Sequence, residues 1–335
     1  MKKIWKVLQS VLVFAIIFVV IRGSSYIIGY ISPFISNLFG IENSQEIESY
    51  DGINIVECEN LTAQIGITTA HTPIKPEERY QFSQLNDNEK KVYLLIEDAV
   101  KRAEVSVDVS DYHINSDRAG DLIRLFCADN PQYFYVSREL HVTHFEDSDL
   151  ALEIRIMYTD GVKNDAIEDN ALTISADRQV ISQKITEFNA EIQKIIDQIG
   201  TDWSDSKKIS YIHDYLVENL QYDEAAVEFI NSDVTHPAYT CYGAVLNKTA
   251  VCEGYAKLFQ YLCNLVGVNC NQVSGTGDGE PHMWNVVQLD TVWYHTDVTW
   301  DDPVGGEGIY RDYYLLDWEE MSASHEIEEN YLKIP

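Results

Sequence analysis

A helical pattern that begins at a cysteine and leads into a hairpin pattern constrains the fold of this chain more than any other feature. Ala256, Phe259 and Cys263 follow Cys252 at intervals that place them on one face of a helix. The spacing predicts a helix over residues 252–266, with Cys252 at its N-terminus. The unpaired amides and the macrodipole of a helix N-terminus favour the thiolate over the thiol. We therefore expect Cys252 to be a candidate nucleophile.

Two strands rich in Val, Trp and Tyr follow this helix. His282–Leu289 and Val292–Thr299 read as a hairpin whose two-residue loop lies at 290–291 or one residue earlier. Either register puts His282 and Asp297 on the same face, opposite or diagonal to each other. Side chains in such positions are within hydrogen-bonding reach.

A thiol, an imidazole and a carboxylate are the minimal parts of a cysteine nucleophile, its base and the group that orients the base. Taken singly, Cys252 would read as a core residue, His282 as a strand histidine and Asp297 as a turn carboxylate. Their order, their placement and their shared face favour the catalytic interpretation. His295 shares the face of Asp297 and is a rival base, which we interpret as a structural neighbour.

The residues around this set resemble a known family. The stretches CYGAVLNKTAVCEGYAKLFQYLCNLVGVNC and GEPHMWNVVQLDTVWYHTDVTWDDP are similar to the core of the transglutaminase-like superfamily, and 208–223 and 129–136 resemble segments that precede that core in bacterial members. The resemblance implies an α+β, papain-like fold in which a helix carrying the cysteine packs on an antiparallel sheet. It also implies Cys252 as nucleophile, His282 as general base and acid, and Asp297 as the residue that holds the imidazole.

Other site residues are expected on weaker grounds. We expect Trp284 and Trp300 to wall or brace a substrate groove. By analogy with related enzymes, Tyr242 or Asn247 is a candidate side-chain donor to an oxyanion, but the backbone amide of Cys252 is the preferred donor. No cofactor is expected, and the sequence shows no convincing set of metal ligands.

The N-terminus predicts a membrane anchor. Lys2, Lys3 and Lys6 precede the apolar run 11–21, which Arg22 closes, and no clear A-x-A cleavage pattern follows. We expect an uncleaved signal anchor, so that the rest of the chain is extracytoplasmic at the cell membrane; a removed signal peptide is the alternative.

The composition is strongly acidic. The 335 residues hold 54 Asp and Glu against 24 Lys and Arg, for a formal net charge of −30. Such a surface repels phosphate, so nucleic acid is not expected as a partner. We expect a protein or peptide substrate instead.

The remaining patterns suggest four segments. Helices are predicted over Asn86–Val105, Asp117–Asp129 and Ala176–Ile199, with strands over Glu139–Phe145 and Leu150–Tyr158. The predicted segments are a signal anchor (1–22), an extracytoplasmic spacer (23–80), a helical and β-hairpin region (81–200) and a transglutaminase-like catalytic core (201–335).

Three functions remain open from sequence. The first is a thiol acyl-transfer enzyme that crosslinks, deamidates or hydrolyses protein or peptide amides through a thioester. The second is a catalytically silent module on the same fold that binds peptide or wall fragments at the cell surface. The third, an assembly subunit, has no positive support in the sequence.

Overall fold

The computed structural model describes residues 63–145, 148–159, 176–227, 236–302, 308–328 and 334, and the backbone of two short paired strands, Asn54–Ile55 and Thr173–Ile174. The predicted anchor and most of the predicted spacer lie outside these residues. No helix in the described part of the chain is long and apolar enough to cross a membrane. The anchor therefore stays a prediction.

The first half of the described chain is built from three long helices and a small sheet. Asn86 begins the first helix through a capping box with Glu89, and Ala103 ends it in a left-handed conformation. The helices are α1 (Asp87–Arg102), α2 (Ser116–Asp129) and α3 (Arg178–Ile196), with short helical turns at Pro76–Glu78, Tyr80–Ser83 and Ser110–Tyr112. All three long helices were predicted from sequence, each to within three residues at either end.

The sheet of this half is antiparallel and has the order β1-β3-β2. Its strands are β1 (Ser106–Asp108), β2 (Val136–His144) and β3 (Ala151–Tyr158). The β2–β3 hairpin matches the predicted strand pair, although β2 begins three residues earlier than expected. Before this half, residues 64–68 lie along α3, where the side-chain amides of Asn189 and Gln193 exchange hydrogen bonds with their backbone.

The second half contains the predicted helix with Cys252 and the sheet on which it packs. Its helices are α4 (Asp205–Asn219), α5 (Cys241–Asn247), α6 (Cys252–Leu265) and α7 (Trp318–Met321), with short turns at Glu224–Val227 and Pro237–Tyr239. Its strands are β4 (Gln221–Tyr222), β5 (Thr249–Ala250), β6 (Cys270–Gly277), β7 (Glu280–Leu289), β8 (Val292–Thr296) and β9 (His325–Ile327).

The larger sheet of this half is antiparallel, in the order β8-β7-β6-β9, and α6 packs against β6 and β7. This arrangement confirms the expected packing of a cysteine-bearing helix on an antiparallel sheet. The two short strands β4 and β5 pair in parallel immediately before α6. One hydrophobic core includes residues of both halves, among them Tyr93, Phe126, Phe188, Phe259 and Val287.

The hairpin adopts one of its two predicted registers. Val292 pairs with Leu289, so the loop is Asp290 and Thr291, and Asp290 takes the positive φ that such a turn requires. The second strand ends at Thr296 instead of Thr299. It ends there because the carboxylate of the next residue turns back to accept backbone hydrogen bonds within the following loop.

Candidate active site

The site begins at the N-terminus of α6, where Cys252 is the first helical residue and is half-buried. Val251 occupies the N-cap position and supplies no side-chain acceptor, so no cap competes for the amides of the first turn. The backbone carbonyl of Ala238 accepts a hydrogen bond from the Val251 amide at 3.1 Å and lies against Gly254. A Cβ at Gly254 would stand 2.3 Å from that oxygen, so glycine permits this close approach.

The hairpin brings the other two predicted residues to this helix end. Nε2 of His282 donates a hydrogen bond to Oδ2 of Asp297 at 2.7 Å. The Cys252 side chain is near enough to the His282 ring to contribute to the rise of its pKa. Because Nε2 is occupied by Asp297, Nδ1 is the nitrogen left for the thiol. The structure thus places an imidazole between a thiol and a carboxylate.

The pKa values of His282 and Asp297 move in opposite directions. Burial lowers the pKa of His282, but the charge and hydrogen bond of Asp297, together with those of Cys252, outweigh burial and raise it to about 10. Burial raises the pKa of Asp297, but the contacts with His282 and then His325 lower it to about 2. At neutral pH the site therefore favours an imidazolium held by an ionised carboxylate.

Both carboxylate oxygens of Asp297 accept hydrogen bonds. Its Oδ1 accepts hydrogen bonds from the amides of Thr299 at 3.0 Å and Trp300 at 3.3 Å. Its Oδ2 accepts one from His282 and a second from Nε2 of His325 at 3.2 Å. We did not predict His325 from sequence, because it lies on a three-residue strand with no recognisable motif.

The two predicted tryptophans have different surroundings. Trp284 is buried, with its indole Nε1 donating to Nδ1 of His295 at 2.9 Å, so it braces the site from within and does not line an open groove. This corrects the groove role considered for Trp284. Trp300 is half-buried, with its ring centroid 5.3 Å from that of His282. Burial, followed by the charge of His325, lowers the pKa of His295 to about 4, which disfavours its use as a rival base.

Tyr242, considered from sequence as an oxyanion donor, has its hydroxyl engaged elsewhere in this structure. Its hydroxyl donates to Oε2 of Glu187 on α3 at 3.1 Å, and its ring stacks on Phe134. The tyrosine that the structure brings to the thiol is Tyr222. It pairs with Ala250, two residues before Cys252, and burial followed by the charge of Cys252 raises the pKa of its phenol.

Tyr222 could not be assigned to the site from sequence. It is the residue before the last in the segment KISYIHDYLVENLQYD, which we related to the helix before the core, and its proximity to the nucleophile depends on the parallel pairing of β4 with β5. Two-residue strands carry no periodic signal from which such pairing could be predicted.

Two buried contacts fix the helix relative to the hairpin. Asn285 of β7 donates from Nδ2 to the carbonyl oxygen of Ala256 at 3.0 Å. The hydroxyl of Tyr255 donates to Oδ2 of Asp302 at 2.5 Å, which ties the first turn of α6 to the loop after Asp297. These two contacts therefore fix the position of Cys252 relative to the His282–Asp297 pair.

One set of side chains in the described part of the chain is close enough to be considered for a metal ion. The potential ligand atoms of His282, Asp297 and His325 all lie within 4.8 Å of one another. Two hydrogen bonds to a single carboxylate oxygen account for this proximity. The donor set therefore gives no independent evidence for a metal.

Comparison with protein families supports the resemblance seen in the sequence. Residues 193–298 match the model of the transglutaminase-like superfamily. The matched segment contains Cys252, His282 and Asp297, and it stops before His325. This part of the chain is therefore similar to the transglutaminase-like superfamily, with an α+β fold.

Two curated proteins match part of the chain. Kyphoscoliosis peptidase of Homo sapiens is 26% identical over 155 residues, which cover 41% of this chain and 23% of the relative. Kyphoscoliosis peptidase of Mus musculus is 29% identical over 136 residues, covering 34% and 19%. The chain thus spans less than a quarter of the length of these relatives.

Among solved structures, a crystal structure of a TGase aligns with a TM-score of 0.32 at 15% identity. The alignment covers 60% of this chain and 52% of the other.

Proposed function

We propose that this chain is a thiol acyl-transfer enzyme that acts on protein or peptide amides. The observation that carries the proposal is the placement of His282, which lies near the Cys252 thiol at a helix N-terminus and is hydrogen-bonded at 2.7 Å to the buried carboxylate of Asp297. This is the arrangement that a cysteine nucleophile, its base and the orienting group require.

The proposed reaction begins with a thiolate–imidazolium pair. Asp297 favours this pair because it stabilises the positive charge on His282. The Cys252 sulfur attacks the carbonyl carbon of a peptide bond or side-chain carboxamide. A carbon–sulfur bond forms, and the carbonyl electrons move to the oxygen.

Two donors are suited to hold the resulting oxyanion. The amide of Cys252 has no acceptor within its own helix, because it belongs to the first turn. The Tyr222 phenol is near enough to Cys252 for the charge of the thiol, after burial, to raise its pKa, so the phenol stays protonated and able to donate. Donors aimed at a developing negative charge are a large source of catalysis in acyl transfer.

Collapse of the intermediate breaks the carbon–nitrogen bond. The leaving amine or ammonia takes the proton from His282, which leaves an acyl thioester on Cys252. A water molecule or a primary amine then loses a proton to His282 and attacks the thioester. This second step releases a carboxylic acid or a new amide and regenerates the thiol.

Water is the acceptor that we favour. The curated relatives are named peptidases, which supports hydrolysis over crosslinking. We further propose that the activity acts outside the cytoplasm, with residues 1–22 as the anchor, on the basis of the charge and hydropathy of that segment.

A peptide library tests the proposed activity. The full-length protein is incubated with the library, with and without a primary amine, and products are analysed by mass spectrometry. Cleavage or deamidation indicates hydrolysis, and loss of ammonia with gain of the amine indicates crosslinking. The Cys252→Ala variant is expected to produce none of these changes. Full activity in that variant, or peptide binding without turnover in both proteins, would contradict the proposal.

A further inference from the structure

His325 is brought to the site by the last strand that the structure describes. β9 pairs with β6 in antiparallel register, with His325 opposite Gly277, at the edge of the catalytic sheet. This pairing carries His325 to Asp297, 28 residues earlier in the chain, where Nε2 lies 3.2 Å from Oδ2. The imidazole is buried, with 1% of its surface exposed.

We propose that His325 is a positioning residue that fixes the Asp297 carboxylate for its partnership with His282. This inference rests on the function proposed above. It extends the active site beyond residues 193–298, which match the family model, into the C-terminal strand.

The hydrogen-bond partners of His325 define its role as a donor. Oγ of Ser324 lies 2.9 Å from Nδ1, and Oδ2 of Asp297 is the partner of Nε2. An ionised carboxylate can only accept a hydrogen bond, so Nε2 must be the donor of that pair. Nε2 therefore carries a proton and donates it to Asp297, whether the Ser324 hydroxyl donates to Nδ1 or accepts from it. These contacts fix Nε2 as the donor toward Asp297.

Aromatic rings hold the His325 ring in its orientation. The ring centroids of Trp300, Trp284 and Tyr313 lie 4.4, 4.9 and 5.6 Å from that of His325. Gly277 leaves room for this packing, because a Cβ there would stand 2.6 Å from the Trp300 ring. These three rings prevent the His325 ring from moving with the Asp297 carboxylate if that carboxylate rotates.

A second donor on Oδ2 has a specific consequence for the reaction. His282 loses a proton in the first half of the proposed cycle and regains one in the second, so the strength of its bond to Asp297 changes. The bond from His325 does not change, and the amides of Thr299 and Trp300 hold only the other oxygen. His325 thus keeps Oδ2 in place while the charge of His282 alternates.

The rate of Cys252 alkylation tests this role without a known substrate. Full-length protein is treated with iodoacetamide at about pH 6, well below the range in which an ordinary thiol ionises, and modification of Cys252 is followed by peptide mass mapping. His325→Gln keeps an N–H donor, whereas His325→Phe removes it. We expect His325→Gln to stay within about threefold of wild type and His325→Phe to fall by roughly tenfold or more, as for a lost hydrogen bond to a charged group.

A matched control separates this effect from general loosening of the fold. Nε2 of the partly buried His71 is hydrogen-bonded to the carbonyl oxygen of Ile199, and His71 lies near Val266 and Gly267 beyond the opposite end of α6. His71→Phe is expected to leave the alkylation rate unchanged. An equal rate in wild type and His325→Phe would overturn the positioning role and leave the proposed function intact. A wild-type Cys252 that is unreactive at this pH would instead contradict the proposed function.

A measurement on the wild-type ring keeps the inference testable if His325→Phe does not fold. Nitrogen NMR of histidine-labelled protein, with the His325 signal assigned by its loss in His325→Gln, reports which nitrogen carries the proton. We expect Nε2 to carry a proton. Protonation at Nδ1 alone would leave no donor toward Asp297 and would overturn the proposal.

Discussion

Asp297 is the buried carboxylate on which the charge interactions of the site depend. Its pKa falls from an ordinary 3.8 to about 2, so its contribution to stability is present above pH 3.8 and is lost as pH falls through 2. The pKa of His282 rises from 6.5 to about 10, so its contribution is full below pH 6.5 and is lost as pH rises through 10. Both shifts describe the same ion pair, which is intact between these limits.

Replacing Asp297 with Asn tests this linkage. We expect Asp297→Asn to be less stable than wild type at neutral pH, with a difference that shrinks as pH falls from about 4 to about 2. Urea unfolding across this range measures the difference. Asp278→Asn, at an exposed turn, is the control and is expected to follow the wild-type profile. A difference between Asp297→Asn and wild type that does not vary over the acidic range would contradict this account.

Tyr222 supplies a second prediction for a single residue. Tyr222→Phe removes only the phenolic hydroxyl, so we expect kcat to fall by about 10²–10³-fold with KM little changed, as for the loss of one oxyanion donor. Steady-state kinetics on a peptide identified by the library experiment measure both constants. Tyr112→Phe, on a short helical turn after β1, is the control. A KM effect with kcat unchanged would assign Tyr222 to substrate binding instead.

Individual residues of the site differ in how far the sequence reveals them. The placement of His282 and Asp297 on the same face of the hairpin could be predicted. Side chains alternate between the two faces along a strand, and both possible loop positions leave these two residues on the same face. The contact of Tyr242 with Glu187 could not, because it depends on how α5 packs against α3. His325 is reached only through the pairing of a short strand that has no periodic pattern.

Among the elements, α6 packs closely against a neighbouring backbone segment at its first turn. Its first turn approaches the chain at Ala238, and Gly254 makes that approach possible. Gly254→Ala is expected to lower the free energy of unfolding by about 1–3 kcal/mol, as overpacking does, and to reduce Cys252 alkylation because the helix N-terminus shifts. Urea unfolding and peptide mapping measure the two effects.

Gly66 provides the matched control for that substitution. A Cβ at Gly66 would meet no atom within 4 Å, so Gly66→Ala should change neither stability nor alkylation appreciably. If Gly254→Ala behaved like Gly66→Ala, the close approach at Ala238 would not be what positions the helix.

The long elements were predictable and the short ones were not. Apolar periodicity and N-cap residues located α1, α2 and α3, because amphipathic helices repeat their pattern over many turns. The hairpin strand β8 was predicted three residues too long, since the side chain of Asp297 replaces ladder hydrogen bonds with a local turn. Strands of two or three residues, such as β4 and β9, are specified by tertiary pairing alone.

At the scale of the whole molecule, the two halves share polar contacts as well as a core. The carbonyl oxygen of Ala128, at the end of α2, accepts hydrogen bonds from Gln260 of α6 and Gln272 of β6. Sγ of Cys241 donates to the carbonyl oxygen of Pro131 at 2.7 Å. The second half of the described chain is thus completed by residues 128–131, most of which belong to the segment 129–136 that precedes the family-like core.

These contacts predict that the second half is not stable alone. Residues 201–335 expressed without the first half are expected to lack a cooperative urea transition and a near-ultraviolet dichroism signal, because buried amides would lose their acceptors. The full-length protein is the reference. A cooperative transition of 201–335 with the wild-type midpoint would contradict this expectation and would support the predicted boundary at residue 200 as an independent domain border.

The central claim is that Cys252 is activated by His282 and Asp297. The most direct test is the pH dependence of iodoacetamide alkylation at Cys252 in full-length wild type and His282→Gln, with the partly exposed Cys127 as an internal reference. We predict that wild-type Cys252 stays reactive well below the pH at which an ordinary thiol ionises, near 8.5, and that His282→Gln loses this reactivity. A wild-type Cys252 whose rate follows that of Cys127 at every pH would contradict the account.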